Sequence, residues 1–207
     1  MVEFVEQSSA RKTAVQRRGL ARRKAILDAA EELLGAEGYE SATLKAISDR
    51  TGIPPASMYH YFADRHQVEV ELLQGHLRDL DTRIAANLDL PRDLTLRDAV
   101  SVVIDTMLAY FREYPSCIEL WFAGRHQKLT QLVQTFDDAK AEQLWHLLIR
   151  EELLLADTPL LVVQLAFEAD SRLFDVAFRH SRTGDEATIE ESRRLVTAYL
   201  ATYGSRA

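Results

Sequence analysis

A single cysteine, Cys117, leaves no partner for an internal disulfide and agrees with a reducing compartment; beside Ile118 it reads as a small buried apolar group. Only five prolines and eight glycines interrupt the 207 residues. The longest apolar runs, such as PLLVVQLAF, fall well short of the roughly 20 residues that cross a bilayer, and the N-terminus carries no apolar signal segment. A cytoplasmic protein with no membrane partner is therefore expected. The six histidines are scattered, with no His-Glu-x-x-His, no Glu-x-x-His pair, no glycine-rich phosphate loop and no Gly-x-Ser-x-Gly elbow. Neither a cofactor nor a metal is expected, and no catalytic constellation stands out. A helical bundle that carries or transforms an apolar small molecule is the surviving alternative from that class.

Acidic residues are missing from one place in particular. Residues 7–24 hold Arg11, Lys12, Arg17, Arg18, Arg22, Arg23 and Lys24 without a single Asp or Glu, in a chain of net charge −7. Through residue 65 there are ten Lys/Arg against nine Asp/Glu, or +1, while residues 66–207 hold 15 against 23, or −8. Such segregation gives the molecule one end suited to phosphate.

Downstream of the basic stretch lie two short amphipathic helices joined by a glycine turn, TLKAISDRTGIPPASMYHYF over residues 43–62. Thr43 is a good N-cap, and Leu44 and Ile47 share a face of the helix it starts. Gly52 stands where the chain must turn with φ > 0, a conformation glycine adopts without steric cost. Pro54 biases Ile53 toward extended geometry, and Pro55 is preset for a first helical turn, so the second helix is expected from Pro55 to near Tyr61. Met58 and Phe62 then point inward. Ala56, Ser57, Tyr59, His60 and Tyr61 are left outside, and folding alone supplies no reason to expose two tyrosines and a histidine together. The arrangement is that of a DNA-reading helix-turn-helix.

AILDAAEELLGAEGYESATL, the helix-turn-helix and YHYFADRHQVEVELL together resemble the tetracycline-repressor (TetR) family of bacterial regulators, strongly over residues 18–75 and beyond them as a matching order of helices. The likeness rests on Gly38-Tyr39 closing the first helix, on Tyr59-His60-Tyr61-Phe62 closing the recognition helix, and on Arg65 opening the fourth. It implies base-edge contacts from Pro55, Ala56, Ser57 and Lys45, and phosphate contacts from Thr43, Tyr59, His60 and Arg65. Pro54-Pro55-Ala56 departs from the family's commoner Ser-x-Gly or Ser-x-Ala. Proline and alanine donate no side-chain hydrogen bonds, so direct readout is thin and DNA shape is expected to carry much of the specificity.

Ile26, Ala30, Leu33 and Leu34 form a stripe able to cover Leu44, Ile47, Met58 and Phe62. Asp64 and Gln67 have capping-box spacing, opening a helix of roughly 25 residues, about 37 Å long, that can act as a lever. Beyond it, helical spacing runs from Leu94 or Thr95 to Tyr114, Ser116 to Gly124, Lys128 to Leu155, Pro159 to His180 and Asp185 to Tyr203, the last behind a Thr183–Glu186 capping box. The fold expected is all-α: an N-terminal three-helix head with a helix-turn-helix, and a C-terminal bundle for ligand binding and dimerisation. The divisions expected are 1–17 a flexible basic arm, 18–66 the head and 67–207 the body.

The last two helices carry more apolar surface than one chain covers, and in the resembled family they pair across a twofold axis. Leu161, Leu165, Ile189, Val196, Tyr199 and Tyr203 are the expected homodimer contacts. Met107, Tyr110, Phe111, Trp121, Phe122, Trp145, Phe167 and Phe174, with Arg125 and Asp170 as polar members, are the candidate pocket for a small-molecule effector of unknown identity. The function implied is a dimeric repressor of a pseudo-palindromic double-stranded operator, released by that effector.

Overall fold

The computed structural model describes residues 2–88, 94–122 and 127–204, with residues 2–15 as backbone only. Every regular element among them is helical. The chain divides into two compact units between Leu72 and Leu73.

The first unit contains α1 (Val2–Glu37), a 3₁₀ turn (Tyr39–Ser41), α2 (Leu44–Thr51), α3 (Pro55–Tyr61) and the start of α4 (Arg65–Leu88). Ile26, Ala30, Leu33 and Leu34 of α1 are buried with Ile47, Met58 and Phe62, as the apolar stripes require. Thr43 Oγ1 caps α2 by accepting from Ala46 N at 3.1 Å, and Gly52 closes it at φ 66°. Ser48 Oγ ties the turn by donating to the Ile53 carbonyl at 2.6 Å. Asp64 accepts from Gln67 N, while the Gln67 side chain accepts from Ala63 N, both at 2.9 Å, so α4 opens on a reciprocal cap.

Two divisions differ from expectation. The backbone is helical from Val2, so residues 2–17 continue α1 instead of forming a separate arm; no proline precedes Gly19, and a lone interior glycine costs only about 1 kcal/mol. The head also extends past residue 66, because Val68 and Leu72 in the first turns of α4 are buried.

The second unit holds the rest of α4, α5 (Leu96–Glu113), α6 (Pro115–Trp121), α7 (Gln127–Arg150), α8 (Leu160–His180) and α9 (Glu186–Ala201). α8 packs between α7 and α9, and α5 lies along α9. Thr95 and Asp98 form a complete capping box on α5. α7 stops five residues before the expected Leu155. Leu153 N donates to Leu148 O at 2.8 Å and Glu152 N to Ile149 O at 3.1 Å, a Schellman closure with Glu152 at φ 56°. A non-glycine residue occupies the left-handed position, which hides this stop from a reading of glycines and prolines. The cap of α9 is Asp185, accepting from Thr188 N at 2.9 Å, not the expected Thr183–Glu186 pair. Thr183 O and Glu186 both receive Arg112 instead.

Candidate nucleic-acid interface

Helix α3 begins at the proline that the chain supplies for its first turn and is held from beneath by Met58 and Phe62. Its outer face carries Pro55, Ala56, His60 and Tyr59, the last 61% exposed, with Ser57 and Tyr61 half-buried at the edges. The His60 and Tyr61 rings meet edge to face with centroids 5.5 Å apart. Thr43 and Lys45 are exposed on α2. Lys45 forms no hydrogen bond or ion pair among the described residues, so its ammonium is uncommitted.

Arg65, expected on phosphate, is committed elsewhere. Its Nε donates to Glu69 at 2.6 Å, another guanidinium nitrogen donates to the Tyr39 carbonyl, and the group lies 4.2 Å over the Tyr39 ring. Buried Glu69 also receives the Tyr39 hydroxyl at 3.1 Å and faces His66 Nδ1 at 3.0 Å. Burial, reinforced by that carboxylate, pushes the Tyr39 phenol up to about 12. Arg65 is thus a structural clamp that pins the Gly38-Tyr39 corner to α4, and the Coulombic gain inside the cluster would be lost on swinging out to DNA.

Arg23, in the basic stretch, is likewise committed within the head. It donates to Glu71 at 2.9 Å through Nε and to the Tyr61 carbonyl at 2.9 Å. Lys24 pairs with Asp28 at 2.7 Å in an exposed i,i+4 bridge of little strength. Arg17, Arg18 and Arg22 are exposed without hydrogen bond or ion pair among the described residues. The side chains of Arg11 and Lys12 lie outside the described set.

In the second unit the expected pocket residues separate into four groups. Phe111 is ringed by Trp121, Phe122, Phe174 and Phe178 with centroids 5.2 to 6.1 Å away, and Trp121 meets Phe136 at 5.6 Å. These rings fill their own space. The Trp121 Nε1–H is nonetheless buried without an acceptor. Tyr110 belongs to a different cluster: His76 Nδ1 is 3.0 Å from its hydroxyl and His76 Nε2 is 3.3 Å from Ser116 Oγ. Burial holds His76 down at about 4, so the ring is neutral. Trp145 donates to Thr158 O at 2.9 Å and stands beside His146, apart from both.

Phe167 and Asp170 line a small cavity of about 20 Å³ together with Val103, Ile104, Leu144 and Val196. That admits one water. Buried Asp170 accepts from Ser192 Oγ at 2.6 Å, and desolvation pushes its carboxyl up to about 6. Half-buried Asp137 rises to about 8 through burial, then through Glu168, Asp170 and Asp138. The expected pocket is therefore not one open site: Met107 is buried core, and Arg125 lies outside the described residues.

The expected dimer set also divides. Ile189 and Val196 are 1% and 6% exposed, inside their own chain's core, and are corrected from that set. Leu161 and Leu165 on α8 are 59% and 49% exposed, and Leu195 on α9, which the apolar seam did not include, is 47% exposed. Tyr199 and Tyr203 are half-buried, their rings 5.9 Å apart.

Comparison with known proteins agrees with this geometry. Residues 26–69 match the family described as bacterial regulatory proteins, tetR family, and residues 94–203 match the tetracyclin repressor-like C-terminal domain. The HTH-type transcriptional regulator BetI of Rhizobium meliloti is 30% identical over 103 residues, 49% of each chain. The HTH-type transcriptional repressor KstR2 of Rhodococcus jostii is 37% identical over 59 residues, 28% of this chain and 29% of its own. The chain thus aligns with about half, or less, of these relatives. A TetR-family transcriptional regulator from Streptomyces coelicolor superposes with a TM-score of 0.67 at 31% identity, covering 88% of this chain and 99% of the other. With a recognition helix displayed on a three-helix head and a matching C-terminal domain, the chain belongs to the TetR family of bacterial transcriptional regulators.

Proposed function

We propose that this regulator is a homodimeric repressor that reads a pseudo-palindromic operator through α2 and α3 and is released by a small molecule. The observation that carries the reading is the outer face of α3. Tyr59 and His60 are presented beside the uncommitted Lys45, while Met58 and Phe62 hold the helix from behind. In this reading Lys45 and Ser57 read base edges and Tyr59, His60 and Thr43 contact phosphates, with Arg17, Arg18 and Arg22 adding charge. Arg65 acts by holding the corner rather than by touching DNA.

Two heads are needed because one short helix reads few base pairs, and the apolar residues Leu161, Leu165 and Leu195 offer the surface for a second copy. The effector enters beside Trp121, where the unsatisfied indole N–H supplies a donor among aromatic rings. It must open the ring cluster to do so. A ligand bound better by the DNA-incompetent form opposes DNA by linkage, with a coupling of about 1–3 kcal/mol.

The test is binding to the intergenic DNA beside the protein's own gene across a salt series. With about 6 phosphates neutralised, the log–log slope is expected near −5. A flat response excludes the reading. A DNA-binding regulator of this kind acts in the cytoplasm; separately, no described helix is long and apolar enough to cross a membrane.

A further inference from the structure

We propose that a groove between the first turn of α5 and one face of α9 binds a small polyanion, gripped by Arg97 and Arg194 over a floor made by Arg193 and Thr197. The groove holds about 330 Å³, within the range of small-ligand sites and far larger than the cavity beside Phe167 and Asp170. Glu190, Arg194, Thr197 and Ala201 form a helical stripe along it. At about 100° per residue, Leu195 lies roughly 120° around α9 from that stripe, while Ala198, which also lines the groove, is about 60° from Leu195, so the groove adjoins the apolar surface along one edge and faces away from it along the other.

The charges are arranged unequally. Arg193 is fixed, with a side chain only 11% exposed that donates to Asp105 at 2.7 Å and to Glu190 at 3.3 Å. Arg194 has only a solvated bridge to Glu191 at 2.7 Å, the kind of pair worth little and readily exchanged. Arg97 is exposed and makes no ion pair or hydrogen bond among the described residues. Two loosely held guanidiniums therefore share the groove with a rigid one, in a unit (residues 73–207) whose 15 Lys/Arg against 21 Asp/Glu give a net charge of −6. Guanidinium forks match the paired oxygens of phosphates and carboxylates.

Thr197 supplies an independent sign. Its hydroxyl is sealed from solvent without a hydrogen-bond partner, although a helical threonine ordinarily bonds to the carbonyl one turn back. Thr197 lines the groove, and in this proposal its hydroxyl turns to the ligand there. Glu190, also in the lining and paired with Arg193, offsets one of the three arginines there, so the lining keeps a net charge of +2 and favours a ligand with two or more negative charges through that excess. The ligand class is a phosphate- or carboxylate-bearing small molecule, bound by residues that belong neither to the Trp121 ring cluster nor to the DNA-reading head.

The test uses the full chain without DNA, so its outcome is independent of operator binding. Pyrophosphate and citrate are titrated by calorimetry and thermal shift against sodium chloride of matched ionic strength. At least one is expected to bind saturably with a Kd below about 1 mM; pyrophosphate alone identifies a phosphate ligand and citrate alone a carboxylate. Arg97→Gln with Arg194→Gln is expected to weaken binding at least tenfold, and Thr197→Val several-fold. Should the double glutamine variant misfold, Arg97→Lys with Arg194→Lys keeps the charge and is expected to lose affinity through the lost forks. Equal shifts from chloride, or a folded variant that binds like the parent, overturn the proposal. So does a variant that sediments as monomer while neither anion binds the parent, which makes the groove a contact between copies.

Discussion

The guanidinium of Arg23 lies 4.3 Å above the ring of Phe62 while donating to the Tyr61 carbonyl at 2.9 Å. One residue of the basic stretch thus fastens the end of the recognition helix to α1, and through Glu71 to α4. Its neighbour Arg22 has no such duty among the described residues. Arg23→Ala is expected to lower head stability by about 1–2 kcal/mol by removing the cation–π contact and the partly buried bridge. Arg22→Ala is expected to leave thermal stability unchanged and to reduce the salt slope of DNA binding by about 1. Melting curves and salt-series binding on both variants check the pair; the reverse assignment would refute the clamp.

Tyr59 and Lys45 are exposed for different reasons. Tyr59→Phe is expected to weaken operator and unrelated DNA alike by about 1 kcal/mol with little change in melting temperature, because a phosphate contact carries no base information. Lys45→Ala is expected to erode discrimination between sequences. Parallel titrations on both DNAs measure it, and an unchanged preference in the Lys45 variant removes its base-reading role.

The surface leucines and the buried valine of the last helices separate association from folding. Leu161→Glu with Leu165→Glu is expected to yield a folded monomer, since both side chains are about half exposed or more in the single chain. Val196→Glu is expected to unfold the body by placing an unpaired carboxylate in its core. Sedimentation and circular dichroism distinguish these outcomes. A folded monomer from Val196→Glu and an intact dimer from the leucine variant would invert the assignment.

Two buried groups titrate with opposite effect. Asp170 has its folded value raised from 3.8 to about 6, so its burial penalty appears as pH rises through that window and is complete above it. His76 has its folded value lowered from 6.5 to about 4, so stability is lost as pH falls through that window. Each is worth about 3 kcal/mol at full extent. Asp170→Asn is expected to match the parent near pH 4, to exceed it in melting temperature above pH 6, and to expose the acid-side decline of His76. Asp137, raised to about 8, adds to the parent's alkaline loss. Denaturation of both proteins from pH 4 to 8 is the measurement, and coincident profiles would refute the Asp170 assignment.

Glu152 occupies a left-handed position at φ 56°, where a Cβ costs about 1–2 kcal/mol. Glu152→Gly relieves that strain and gives back some chain entropy, for an expected net gain of about 0.5–1 kcal/mol. Urea midpoints at constant m-value measure it; a drop in midpoint means the carboxylate's own interactions outweigh the strain.

The amino-acid sequence by itself determined the features that depend on neighbours a few residues apart. Thr43 caps α2, Gly52 turns it, Pro55 opens α3 and Asp64 opens α4, each where short-range sterics and hydrogen bonding require. The apolar stripes likewise identified the head's core and its exposed reading face. Tertiary structure decided everything that needs a distant partner. Arg23 finds Glu71, 48 positions away, and Arg65 finds the Tyr39 carbonyl, 26 positions back, so two cations that look free along the chain are not. Ile189 and Val196 share the helical periodicity of an outward seam, but packing against neighbouring helices turned them inward and left Leu195 outside. Periodicity defines a helix's faces; which face meets its own chain and which is left for a partner depends on rotation about the helix axis, which long-range packing alone sets.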